Sequence, residues 1–361
     1  MARKTYLFLQ SNDVVDRINS SFDMPSYFSG AVYKRCAEIW NSELSVFVPD
    51  PKVKGVASLL YENIRSFNRV IASNNRKDDN IFVVWQGYGM YTALVAGIFK
   101  RIKYVFNTYK MPWPSNQRIS ANINDFALLD VLTKAKAVIT ISSIQKDILI
   151  KYNPNSFWIP FASDIDWWTP DVPNYTCMKN QGINLENYIL IMGDVDREEE
   201  TTAKALKRLP YPILRVTRDP KTAKKANYIW SSMGVKNWNI LVNVSFKLLR
   251  EIYRGARVVI VPARSRVHPA GMTSMSEAMS CGRPVVIPKG LATEGYVENN
   301  KDAFVIEDWS EDNILNQVVS VYETNKGELI GAYARKTCEE KFNIDSSARI
   351  LAGFVKTILD K

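Results

Sequence analysis

"HPAGMTSMSEAMSCGRPVV", from His268 to Val286, decides how the rest of the chain reads. It holds the only histidine, a glycine, a glutamate set between apolar residues, and a Cys-Gly-Arg-Pro turn. That order predicts a loop, a helix over 271–282 stopped by Gly282 in a left-handed cap, and a buried strand. The apolar run "RVVIVPA" just before it predicts another strand. A strand, a glycine-bearing loop, a helix and a second strand make one parallel βαβ repeat, whose loop lies at the carboxyl end of the first strand.

The same alternation extends outward in both directions. Upstream, "NYILIMGD", "PILRVTRD" and the helical "EEETTAKALKRL" and "SFKLLREIYRGA" continue it. Before them, "KTYLFLQSN", "ELSVFVPD", "NIFVVWQG", "IKYVFNTY", "AVITISS" and "SFWIPFA" read as strands. The helical "SGAVYKRCAEIW", "YTALVAGIFKR", "DFALLDVLTKAK" and "SIQKDILIKY" alternate with them. Short apolar runs between amphipathic helices predict parallel sheets covered on both faces. The stretch from Ser163 to Asn184 has two prolines and no helical period, and it reads as a connector. The expected organisation is an α/β chain of two doubly wound Rossmann-like domains facing a central cleft. Residues 1–165 form the first, 166–184 a linker, and 185–344 the second. Residues 345–361 form a terminal helix that packs back on the first domain.

The chain has 361 residues, enough for two cores, and its 46% apolar and 23% charged composition is that of a globular protein. Four scattered cysteines exclude a paired zinc or disulfide framework and fit a reducing compartment. The N-terminus reads as a first strand and not as a signal peptide, and no apolar run is long enough to span a bilayer. A net charge of +10 favours anionic partners: nucleotides, an anionic membrane surface or nucleic acid.

From Ser245 to Val305 the chain resembles the retaining GT-B glycosyltransferases, family 4 in particular. "LLREIYRGARVVIVPA", the opening stretch and "KGLATEGYVENN" follow that family's motif order. "AVITISSIQKDILIKY" and "WIPFASDIDWWTP" are similar to its Val-Ile-x-x-Ser segment and its linker. The resemblance implies a GT-B fold and transfer of a sugar from a nucleotide-diphosphate sugar, UDP more than GDP, with retention. It implies a hexosyltransferase-type enzyme (EC 2.4) in which the second domain binds the donor and the first the acceptor.

The resemblance gives Glu277 the donor ribose, and a carboxylate suits two neighbouring hydroxyls. Gly271 lets the backbone approach a ligand, while Met272 and Thr273 would offer N–H groups to phosphate oxygens. The family's second glutamate falls on Pro269 by direct counting, or on His268 if one residue is inserted. The second alignment is favoured, because an imidazole hydrogen-bonds a sugar and a proline side chain does not. His268 and Glu277 are thus the catalytic candidates. The family's diphosphate-binding Arg and Lys fall on Asp194 and Glu200, where a carboxylate would repel phosphate. Arg197 and Arg218 are the expected replacements, with Arg264 and Arg266 as further candidates, since transfer needs its leaving charge offset. Backbone near Asn243 would meet the base.

On the acceptor side the candidates are Gly30, Lys110 and Trp113. Gly30 resembles the family's glycine loop, and it also reads as part of a plain helix cap. Between Asn80 and Asn124 there is no Asp or Glu, and lysines and arginines there interleave with aromatics. That stretch suits an anionic bilayer and a lipid-linked acceptor at the inner face of a membrane. A glycan acceptor is the companion expectation. No metal and no cofactor beyond the nucleotide-sugar substrate are expected. Alternatives are a non-catalytic nucleotide-sugar-binding homologue and a transferase acting on a polyanion such as DNA. A single histidine argues against an epimerase on the same fold.

Overall fold

The computed structural model describes residues 3–8, 18–19, 21, 23–26, 28–47, 61, 81–85, 104–108, 123–194, 197–264 and 268–359. The chain divides into two compact units. One comprises Met1–Asn19, Ser26–Phe161 and Ile344–Lys361; the other comprises Ser20–Pro25 and Ala162–Asn343.

The first unit is built on six parallel strands: β1 (Arg3–Phe8), β2 (Ser42–Phe47), β3 (Ile81–Trp85), β4 (Tyr104–Thr108), β5 (Ala137–Thr140) and β6 (Ser156–Trp158). Their order is β2-β1-β3-β4-β5-β6. Helices α1 (Phe28–Ile39), α2 (Ile123–Lys134) and α3 (Ser143–Leu149) accompany them. β4 and β5 are buried along their whole length, as continuous apolar runs in a covered parallel sheet should be. The helix expected over 91–101 and the candidates Lys110 and Trp113 lie outside the described residues.

The second unit has β7 (Tyr188–Met192), β8 (Ile213–Thr217), β9 (Trp238–Val242), β10 (Ala256–Ile260), β11 (Val285–Pro288) and β12 (Phe304–Ile306), all parallel. Their order is β12-β11-β10-β7-β8-β9. The helices are α4 (Tyr175–Lys179), α5 (Glu199–Leu206), α6 (Pro220–Ser232), α7 (Phe246–Gly255), α8 (Met272–Ser280), α9 (Glu311–Glu323) and α10 (Lys326–Lys341). Ile189, Ile191, Val258, Ile260, Val286 and Phe304 from the strands meet Ala203, Leu206, Ala226, Trp230 and Val318 from the helices in one core. Each such large side chain contributes about 1.5–3 kcal/mol on burial.

One feature differs from the sequence reading. Residues 163–184 are not a free tether but part of the second unit. Arg335 Nη1 donates to the carbonyls of Ile165 and Trp168 at 3.0 and 2.8 Å. Arg254 bonds Thr169 and Asp171, and Asn174 caps the short helix α4. The last helix, α11 (Ile344–Leu359), belongs to the first unit. It accepts hydrogen bonds from Cys36 Sγ and Trp40 Nε1 at its Ala348 and Ala352 carbonyls, and Phe354 stacks on Phe157. Among the described residues no helix is long and apolar enough to cross a membrane.

Candidate functional site

In the second unit the chain runs outward from β7 through β8 to β9, then returns to the other side of β7 for β10, β11 and β12. The carboxyl ends of β7 and β10 therefore flank a topological switch point, where loops part and a ligand crevice forms in sheets of this kind. The loops leaving these two strands hold Arg197, His268 and Gly271, and the helix that follows the second loop holds Met272, Thr273 and Glu277. The two loops are also tied together: Arg197 bridges Ala263, and Glu198 N donates to Pro262 O at 2.9 Å.

Gly271 places the start of α8 at this spot. It adopts φ +90°, a left-handed conformation that disfavours side chains, and acts as N-cap without any side-chain hydrogen bond. A Cβ there would lie 2.6 Å from Val261 Cγ1 and 3.2 Å from Ala263 Cβ, so the bend packs tightly on the end of β10. Gly271 gives the first turn of α8 no side-chain cap, and that turn is the electropositive end of the helix. Thr273 is exposed in this turn, whereas Met272 buries its side chain and turns its amide toward Pro269 O at 3.4 Å. Gly271→Ala should combine backbone strain with overpacking, about 2–4 kcal/mol in all. Scanning calorimetry should register a melting temperature lower by roughly 5–12 °C; an unchanged melting temperature would contradict the packing described.

Glu277 sits one and a half turns into α8, 6% exposed. Its Oε2 accepts a hydrogen bond from Tyr253 Oη at 2.9 Å. Burial first, and the Glu277 charge second, push the Tyr253 phenol well above its usual range, so it stays a donor. At the far end of α8, Gly282 adopts φ +68°, and Arg283 N reaches back to Ala278 O at 3.0 Å. That is the left-handed stop expected of Cys-Gly.

The cations follow a different plan from the family pattern. Asp194, at the end of β7, does not present a bare carboxylate to the crevice. Its Oδ1 accepts from the Thr217 hydroxyl and from Arg218 N (2.7 Å), stapling the β7 loop to the β8 loop. Glu200 is exposed in the first turn of α5. Arg197 lies over Gly193, where a Cβ would collide with its guanidinium, and its Nε donates to Met192 O at 3.2 Å. Gly193 itself has φ +112°. Arg197 thus stands at the switch point, beside the β10 loop. Arg218 is exposed, with its guanidinium carbon 4.5 Å from the Phe246 ring centroid. Asn243, exposed at φ 54°, ends β9 with its N donating to Thr217 O at 2.9 Å.

Arg215, in the middle of β8, is a residue that sequence reasoning passed over. It is fully buried and donates to Glu199 Oε1 from Nε and Nη2 at 3.1 and 2.7 Å. Nη2 also donates to Gly193 O at 2.6 Å, while Trp230 Nε1 donates to Glu199 Oε2 at 2.9 Å. The Gly193 bend under Arg197 is therefore held from below by a buried ion pair. The available signal was a charged residue inside the apolar run "PILRVT", which burial permits only with a partner. Tyr253 was likewise missed as the partner of Glu277.

The remaining candidates fall as follows. His268 is half-buried in the loop before Gly271, its carbonyl accepting from Ala270 N at 2.7 Å. Arg264 is paired with Glu198 at 3.3 Å, and Arg266 lies outside the described residues. Gly30 is not in a loop: it is buried in the first turn of α1. That helix starts at Phe28, which is buried and stacks on Phe161 at 4.6 Å. Among the described residues no group of three or more His, Cys, Asp or Glu is placed to hold a metal.

Residues 213–324 match the family described as glycosyl transferases group 1. No curated protein matches the chain. Among solved structures, a glycosyltransferase from Rickettsia africae ESF-5 is similar with TM-score 0.72 at 13% identity, covering 99% of each chain. HepE of Anabaena, solved with UDP and glucose, gives 0.74 at 14% identity, covering 98% of this chain and all of that one. Sucrose-phosphate synthase from Thermosynechococcus elongatus gives 0.74 at 13%, covering 99% of this chain and all of that one. These similarities establish the GT-B fold: two Rossmann-like α/β units with parallel sheets.

Proposed function

We propose that this chain, with a glycosyl transferases group 1 segment on a GT-B fold, is a retaining hexosyltransferase that uses a nucleotide-diphosphate sugar. The observation that carries the reading is the convergence at the β7/β10 switch point. The uncapped start of α8 at Gly271, the amide of Thr273, the Arg197 guanidinium over Gly193 and the buried acid Glu277 all belong to it. Such a set suits a diphosphate bound between helix amides and a cation, with a ribose on the carboxylate. Arg197 takes the place of the family's Arg and Lys pair, and Asp194 is spent on Thr217 and Arg218 instead of opposing the phosphates. His268, in the loop before Gly271, would face the sugar, and Arg218 with the turn at Asn243 would border the base. The nucleotide sugar is substrate, and the reading calls for no separate cofactor.

UDP is the favoured nucleotide, because HepE is described as a complex with UDP and glucose. The acceptor is read as a glycan or a lipid-linked glycan, met by the first unit at an anionic membrane face inside the cell. The basic composition, with a net charge of +10, supports that face. The test is a thermal-shift titration with UDP, GDP and ADP, followed by incubation with UDP-sugars. UDP should raise the melting temperature most, and UDP-sugar should slowly release UDP. Stabilisation without turnover would leave a binding protein. No response to any nucleotide would remove the donor site.

A further inference from the structure

Glu277 is held from the side of α7, and the residue that holds it is itself braced by the segment entering the second unit. Tyr253, in the last turn of α7, is fully buried and donates to Glu277 Oε2 at 2.9 Å. The edge of one ring meets the face of the other where Tyr253 contacts the buried Trp168, with centroids 5.5 Å apart and planes at 87°. The backbone of Trp168 is anchored, because Arg335 Nη1 donates to its carbonyl, to that of Ile165 and to that of Ser280, the last residue of α8. The neighbouring Arg254 clasps Thr169 O at 3.0 Å and Asp171 Oδ2 at 2.6 Å. One guanidinium thus ties Trp168 to the helix that carries Glu277, and another ties the helix that carries Tyr253 to the same segment.

A glutamate carboxylate has three side-chain torsions and loses roughly 1.5–2 kcal/mol of rotamer freedom when fixed. If that ordering is complete before a ligand arrives, none of it is charged against binding. A phenol seated against Trp168 and bonded to Oε2 of the acid contributes to this ordering, since it favours the carboxylate orientation that keeps the bond. We propose that Tyr253, braced by Trp168, is a positioning residue: it presets the Glu277 carboxylate to accept the vicinal ribose hydroxyls of the donor nucleotide. The inference rests on the ribose role of Glu277 proposed above. It adds that recognition of the diol depends on a hydroxyl that touches no substrate.

The experiment compares UDP with 2′,3′-dideoxy-UDP by calorimetry, in the wild type, Tyr253→Phe, Glu277→Ala and the double variant. The wild type should prefer UDP. Tyr253→Phe should reduce that preference about 10-fold, the equivalent of one hydrogen bond of about 1.4 kcal/mol, with dideoxy-UDP affinity unchanged. In the Glu277→Ala background the same substitution should change nothing further, because its effect passes through the acid. A merely structural tyrosine would weaken both nucleotides alike, leaving the preference intact, and that result overturns the proposal. So would an equal loss of preference with and without Glu277. A wild type that binds both nucleotides equally, or neither, defeats the ribose reading itself, and the inference falls with it.

Discussion

Glu277→Ala should lower UDP affinity by about 100-fold or more while the chain stays folded. Two hydroxyls donating to a carboxylate are charge-assisted bonds of about 1.5–3 kcal/mol each, and their loss exceeds the 2.7 kcal/mol that a 100-fold change represents. The substitution also removes the carboxylate acceptor of the buried Tyr253 hydroxyl, at a cost of about 1 kcal/mol to folding. Stability and affinity therefore both fall, and they must be separated. Calorimetry well below the melting temperature reads affinity alone, and circular dichroism reads the fold. Glu277→Gln is the companion variant. It keeps volume and an oxygen acceptor for Tyr253 but loses the charge, so it should retain most stability and recover only part of the affinity. Undiminished UDP binding in both variants would show that the acid has no ligand role and serves only to satisfy Tyr253.

Much of this site was legible because its parts are local. The stretch from His268 to Val286 holds bend, helix, acid and helix stop within one βαβ repeat, and each follows from residue type and spacing. The alternation of short apolar runs with amphipathic ones likewise reports the parallel strands of both sheets directly. What escaped is of two kinds. α6, β9 and β12 carry weak patterns: α6 buries only four residues, two of them alanines, β9 is a half-exposed edge strand, and β12 is three residues long. The second kind is tertiary. Asp194 read as a threat to a diphosphate until Thr217 and Arg218, more than twenty residues away in sequence, claimed its carboxylate. Nothing local announces such a partner.

The buried pair under the Gly193 bend gives the second large expectation. Arg215 and Glu199 are 0% and 6% exposed, with Trp230 and the Gly193 carbonyl completing the network. Removing either partner leaves a desolvated charge with nothing to offset it. Arg215→Met or Glu199→Gln alone should therefore cost about 3–5 kcal/mol in urea unfolding. Because the pair is out of reach of mobile ions, the loss should be nearly the same at 0.1 M and 1 M salt, unlike that of a surface bridge such as Arg208–Asp312. The double variant Arg215→Met/Glu199→Gln removes both charges and should cost well under the sum of the two, giving a coupling energy in a double-mutant cycle. Restored stability need not restore function, however. Arg215 Nη2 fixes the Gly193 carbonyl, and Arg197 rests on Gly193. The double variant should thus fold but bind UDP more weakly, with the Arg197 guanidinium released from its seat. Strictly additive losses would mean that the pair is not coupled. Full affinity in the stable double variant would mean that the bend does not set the position of Arg197.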